Sequence, residues 1–124
     1  MNNRVLHFEI HVEDPVKAGE FYKDVFGWKI ESWGGGDEPY YLVSTGDENT
    51  PGINGGLMKS MDGQTRTVNS ILVPDVDEYV AKVVAAGGTV ALPKMPIPGV
   101  GYLAYLIDPQ GVLFGITHMD PEAK

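Results

Sequence analysis

The sequence contains no cysteine. That excludes disulfides, thiolate-bound metal and a cysteine nucleophile, and it is compatible with any compartment. Positive charge is scarce: nine Lys and Arg stand against 17 Asp and Glu, for a formal net charge of -8. A surface of that sign repels phosphate backbones, and no basic cluster offsets it, so nucleic acid is not an expected partner. A cationic small molecule would be attracted instead. No stretch approaches the roughly 18 consecutive apolar residues that a membrane helix needs, so no membrane partner is expected. The opening MNNRVLHFEI has no apolar run after Arg4 and no small-residue cleavage site, so no secretory signal is expected and the cytoplasm is the expected compartment. A nucleophile-elbow motif is absent too, which leaves a hydrolase triad without support. Gly34-Gly35-Gly36 is no phosphate loop, because it lacks the following Lys-Ser or Lys-Thr and a helix; it reads as a turn.

What is present suits one ordinary domain. The chain has 124 residues, 43% of them hydrophobic, enough to bury a core. Residues 5–12 alternate as a half-buried strand. Asp14-Pro15 then offers an N-cap and a favoured first helical residue. Ala18, Phe21, Tyr22 and Val25 recur at helical spacing, so with Phe26 they are the expected buried stripe of a helix that stops at Gly27. Strands follow at 28–33, 40–45 and 53–58. The order then repeats: a strand at 67–73, a helix opened by Asp75 and Glu78 at capping-box spacing with Tyr79 and Val83 on its core face and ended at Gly87-Gly88, then strands at 89–92, 102–107 and 112–118. Residues 93–101 hold three prolines and two glycines and read as a loop, either a lid or a plain connection stiffened by proline. The tail from Met119 is expected to fray.

The chain thus reads strand–helix–three strands, twice, over residues 4–60 and 66–119. Within LHFEIHV, strict alternation sets Leu6, Phe8, Ile10 and Val12 on one face of the strand and His7, Glu9 and His11 on the other. Two of the three histidines of the protein thus flank a carboxylate. Burying three ionisable groups under a helix is costly, so the apolar set is assigned to the helix side and the ionisable set to the opposite face, as a ligand surface or a wet one. His11, near the strand end, is expected to meet solvent or a partner chain. Trp28 and Trp33 fall on opposite faces of their strand, and Trp33 is assigned to the ligand side. His118 alternates away from Gly115 and is expected to point outward.

LHFEIHVEDPVKAGEFYKDVFGW, with VDEYVAKVVAAGGTV and IPGVGYLAYLIDPQGVLFGI in the second half, resembles the vicinal oxygen chelate superfamily. That group holds glyoxalase I-type lyases, bleomycin-resistance proteins and extradiol dioxygenases. The helix start after a strand, the FY-x-x-x-FGW ending and the DPxG turn carry the resemblance, which covers nearly the entire chain. It implies an α+β fold: two tandem βαβββ modules forming a curved, mostly antiparallel eight-stranded sheet around a cup, helices outside, in one domain spanning 1–124. Pairing as a homodimer is implied as well.

The resemblance also implies four inward strand positions, which in metal-using members hold His or Gln on the first strand of each module and Glu on the last. Here they match His7, Asn69, Gly56 and Gly115. Glycine stands at both carboxylate slots. It can neither bind a metal through a side chain nor move a proton. The usual metal site is therefore expected to be broken, and no cofactor is expected, although a divalent metal on relocated ligands such as His7 and Glu9 stays an alternative. The expected pocket is His7, Glu9, His11, Trp33, Gly56, Asn69 and Gly115. Three functions remain open: a metal-free binder of a small organic molecule, a cation by charge; a lyase or dioxygenase of the glyoxalase type; and a metal-free enzyme with Glu9 or His7 as general base.

Overall fold

The computed structural model describes residues 3–34 and 40–124. Gly35, Gly36 and Asp37 of the expected glycine turn lie outside the described residues. The elements run β1 (Val5–Val12), α1 (Pro15–Phe26), β2 (Lys29–Ser32), β3 (Tyr40–Ser44), β4 (Gly55–Lys59), β5 (Arg66–Leu72), α2 (Val76–Ala85), β6 (Thr89–Ile97), β7 (Gly101–Ile107) and β8 (Leu113–Met119). This is the α+β class and the repeated βαβββ order that the sequence predicts. The backbone falls into two compact units, one of residues 7–68 and one of residues 1–6 with 69–124.

In the first of these units the strand order is β2-β3-β4-β1. β2, β3 and β4 pair antiparallel, while β4 and β1 pair parallel, with Glu9 beside Gly56 and His11 beside Met58. α1 starts where Asp14 accepts a hydrogen bond from the Lys17 amide at 3.1 Å, with Pro15 next. It ends at Gly27, whose left-handed backbone (φ 73°) returns its N–H to the Lys23 carbonyl. Ile10, Val43 and Leu57 form the core, with Phe8, Val12, Ala18, Tyr22, Trp28 and Ile30 packed around them. Gly19 lets the helix come close: a Cβ there would lie 3.4 Å from both Ile30 and Leu57.

The expected helix stripe is half wrong. Ala18 and Tyr22 face the core, but Phe21, Val25 and Phe26 are 56%, 55% and 60% exposed. The close approach at Gly19 turns the Ala18–Gly19–Tyr22 side to the sheet, and Phe21 and Val25 fall beyond it. Phe26 still stacks on Trp28, ring centroids 5.6 Å apart.

The other unit repeats the pattern, in the order β5-β8-β7-β6. β5 and β8 pair parallel, the rest antiparallel. Its core is Val73, Val76, Ala104, Leu106 and Ile116 under Tyr79, Val80 and Val83 of α2. The Asp75 carboxylate caps α2 by accepting from the Glu78 amide, as the capping-box spacing predicts.

Two expectations fail in this unit. The proline-rich 93–101 segment is no lid: β6 runs to Ile97, with Pro93 and Pro96 inside it, and pairs with β7 across two register shifts. β6 is the terminal strand of its sheet, and an unpaired edge accepts proline without losing a ladder bond. The tail is docked rather than frayed, since the Asp120 amide donates to the Val100 carbonyl, the Gly99 amide donates to the Ala123 carbonyl, and Ala123 is buried.

Candidate functional site

The polar face of the 7–68 unit is built by alternation on β1. Phe8, Ile10 and Val12 enter the core, so His7, Glu9 and His11 leave on the opposite side. They are not a wet surface: Glu9 is 5% exposed and His11 is fully buried, with His7 half-buried. The expectation that His11 meets solvent is overturned. β4 lies alongside, so Met58 stands next to it and the strand end is covered.

Burying a carboxylate is tolerable only where donors surround it. Glu9 has them. Its Oε1 lies 3.1 Å from His11 Nε2. Its Oε2 accepts a hydrogen bond from the Tyr40 hydroxyl at 2.8 Å. The carboxylate therefore pairs with His11 rather than with His7. His7 still feels it: burial pushes the His7 imidazole below its ordinary value, and the Glu9 charge opposes that in part. The neutral form of His7 is thus favoured at neutral pH. Burial, then the charge and hydrogen bond of Glu9, push the Tyr40 phenol far above its usual range, so it stays a donor.

Gly56 lies beside Glu9 in the parallel ladder. A Cβ built there would overlap the Tyr40 hydroxyl and lie 2.9 Å from Tyr40 Cε1. The phenol occupies the space that any side chain at the first carboxylate slot would need. Trp33 stands edge-on to Tyr40, ring centroids 6.3 Å apart, which puts it on the assigned side. Trp28 is on the core side, against Phe8 and Tyr22.

In the other unit, Gly115 lies beside Ser70, and Ser70 shares a buried hydroxyl–hydroxyl hydrogen bond of 3.1 Å with Thr117. Tyr105 covers this glycine at ordinary contact distance, 3.5 Å from a built Cβ. Asn69 is a correction. It is exposed and shares a face with Ile71, which packs in the α2 core, so it sits on the helix side of β5. The register puts Ser70 where Glu9 stands in the first unit. His118 does not point outward: its Nδ1 accepts the Val76 N–H at 2.8 Å, tying β8 to the start of α2.

Among the described residues, no three His, Asp or Glu side chains converge to hold a metal ion. Of the four implied ligand positions only His7 carries a strong metal-binding group; Gly56 is covered by the Tyr40 phenol and Asn69 faces away. The residues present do not fit the superfamily's metal centre.

Residues 4–46 match the family described as bleomycin resistance protein-like N-terminal. Two curated relatives, both named "Putative glyoxylase CFP32", from Mycobacterium bovis and Mycobacterium tuberculosis, are each 30% identical over 111 residues, which is 87% of this chain. The chain spans 42% of the length of these relatives. The methylmalonyl-CoA epimerase of M. tuberculosis superposes with a TM-score of 0.65 at 16% identity, covering 98% of this chain and 94% of that one. The chain has the vicinal oxygen chelate fold. Another member of this fold, the Mn(II)-bound glyoxalase of Novosphingobium aromaticivorans, gives a TM-score of 0.65 at 23% identity, over 98% of this chain and 40% of that one.

Sequence reasoning missed Tyr40 as a site residue. Tyr40 and Tyr41 are adjacent, and only the register of β3 against β4 decides which of them reaches Glu9. The i, i+2 spacing sets Glu9 within reach of both His7 and His11, and it is His11 that the carboxylate meets.

Proposed function

We propose that this protein binds a small organic molecule on the polar face of its 7–68 unit, without a metal at the usual place. The observation that carries the reading is the Tyr40 phenol over Gly56, hydrogen-bonded to Glu9. A slot that supplies a metal-binding carboxylate in metal-using members is here aromatic surface beside a buried anion. Glu9 with the rings of Trp33 and Tyr40 suits a cationic ligand, by charge and by attraction to ring faces, and the net charge of -8 favours its approach. No resident cofactor and a homodimeric state belong to the same reading.

A second reading is favoured by one observation. The half-buried His7 is held toward its neutral form, the state a general base needs. In a metal-free enzyme His7 takes a proton from a carbon next to a carbonyl, and Glu9 stabilises the imidazolium that forms.

The experiment is metal analysis of untagged protein, with Zn, Ni, Mn and Fe(II) titrations, followed by cationic aromatic amines watched through tryptophan fluorescence. The expected result is no stoichiometric metal and saturable amine binding that weakens in Glu9→Gln. One tightly bound equivalent of metal, lost in His7→Ala, overturns the metal-free reading and moves the glyoxalase-type lyase or dioxygenase to first place. Turnover of a carbonyl compound that is weakened in Glu9→Gln and abolished in His7→Gln selects the second reading.

A further inference from the structure

We infer that Tyr40 is an internal occupant of the ligand subsite over Gly56, and that the ligand is a flat ring bearing an O–H or N–H donor, which displaces the phenol and takes over its hydrogen bond to Glu9. The inference rests on the metal-free binding reading and names both the ligand chemistry and the competitor it meets.

Four features lead there. Tyr40 lies so close to Gly56 that no Cβ could stand beneath it, so the glycine is a flat floor against which a ring edge and its hydroxyl rest. The second glycine slot is different: Tyr105 keeps ordinary contact distance from Gly115 and is 3% exposed, in the middle of β7 rather than at a strand end. Tyr40 is only partly buried and is the first residue of β3, with its carbonyl held by the Trp33 N–H at 2.8 Å. Its side chain can therefore swing about χ1 while the ladder stays paired. Finally, His11 lies on the other carboxylate oxygen, so Glu9 keeps its direction when the phenol leaves.

The chemistry of the exchange sets the ligand class. Tyr40 gives Glu9 one hydrogen bond to a charged acceptor, and a buried carboxylate that loses a donor is penalised. A replacement must bring a donor of its own. A ring of the same shape without one displaces that hydrogen bond and returns none, so it should bind less well. Trp33 offers its indole to whichever ring is present.

The probe is p-cresol, the side chain of tyrosine as a free molecule, with 4-methylanisole as the same ring with its donor methylated. Binding is followed by tryptophan fluorescence and by the Gly56 amide resonance in wild type, Tyr40→Ala and Tyr40→Phe. The expected result is p-cresol binding at least about tenfold tighter in Tyr40→Ala than in wild type, since the competitor is gone. Tyr40→Phe should fall between them, because its ring keeps the slot but no longer makes the hydrogen bond that the probe must displace. 4-Methylanisole should not gain. Equal p-cresol affinity in wild type and both variants overturns the inference, as does equal gain for the two probes. Should Tyr40→Ala fail to fold, wild type against Tyr40→Phe decides it alone. If cationic amines still bind in a Glu9-dependent way while p-cresol ignores Tyr40, the displacement idea fails and the binding reading stands. If no probe reaches the Gly56 amide, both fail.

Discussion

Replacing Gly56 by alanine tests the site with a single methyl group. The backbone at Gly56 does not require glycine, since no left-handed φ occurs there. The obstacle is the Tyr40 phenol, which a Cβ would overlap. Either the ring leaves or the strands spread. If the ring leaves, Glu9 loses a hydrogen bond to a charged group, worth about 1.5–3 kcal/mol. If the strands spread, overpacking costs about 1–3 kcal/mol. Against this, removing a glycine from the unfolded chain returns about 0.4–1 kcal/mol. The net expectation is a loss of about 0.5–2.6 kcal/mol if the ring leaves, and of up to about 2.6 kcal/mol if the strands spread. Gly115→Ala is the control, because its Cβ would meet Tyr105 at 3.5 Å, ordinary van der Waals contact. That variant should stay within about 1 kcal/mol of wild type, on the side of gain if the neighbours stay put. Urea unfolding followed by tryptophan fluorescence measures both, and at a slope of about 1–3 kcal/mol per molar the Gly56→Ala midpoint should drop by about 1 M. The reasoning is refuted if Gly56→Ala matches wild type, or if both alanines cost the same. A double-mutant cycle with Tyr40→Ala then locates the effect: much of the Gly56→Ala penalty should vanish when the ring is already gone.

Three more outcomes follow from named contacts. The folded-state value of His7 is lowered from 6.5, so the unfolded chain binds the proton more readily; stability should fall as pH drops through 6.5 toward the folded value, and His7→Gln should remove that component of a pH series of thermal unfolding. Asp14→Ala should cost about 1 kcal/mol through the lost cap on Lys17, read from urea midpoints, with Asp14→Asn nearly neutral. Phe21→Gln, at a side chain 56% exposed, should change stability by no more than about 0.5 kcal/mol in the same assay, whereas Tyr22→Ala should cost several times more.

The fold was legible because its signals are local and repeated. Asp14-Pro15 with Gly27, and Asp75 with Glu78, mark the helices through capping chemistry that does not depend on the rest of the chain. The alternation of LHFEIHV sorted the two faces of β1 correctly, because a strand has only two. Partner identity was less accessible. Glu9 had a histidine two residues to either side, and alternation cannot say that the bond goes to His11. Asn69 is one residue from Ser70, which stands beside Gly115, and a shift of one residue reverses a strand face. Phe21 and Val25 carry helical spacing as good as Tyr22, but how deeply Gly19 lets α1 settle decides which flank is covered. Prolines at 93 and 96 argue against a central strand only, and β6 is the last strand of its sheet.

The parallel pairing of β1 with β4, and of β5 with β8, has a consequence for the order of events in biosynthesis. Hairpin partners such as β2 and β3, or β6 and β7, leave the ribosome one after the other and can zip at once. β1 emerges first in its half and must wait for β4, through a helix and two strands, before its backbone donors on that side find their acceptors. Each half thus closes its longest loop last, and loops of that span fold slowly. During the wait β1 is an open strand edge, and the Glu9 charge between its apolar residues disfavours pairing with another nascent chain.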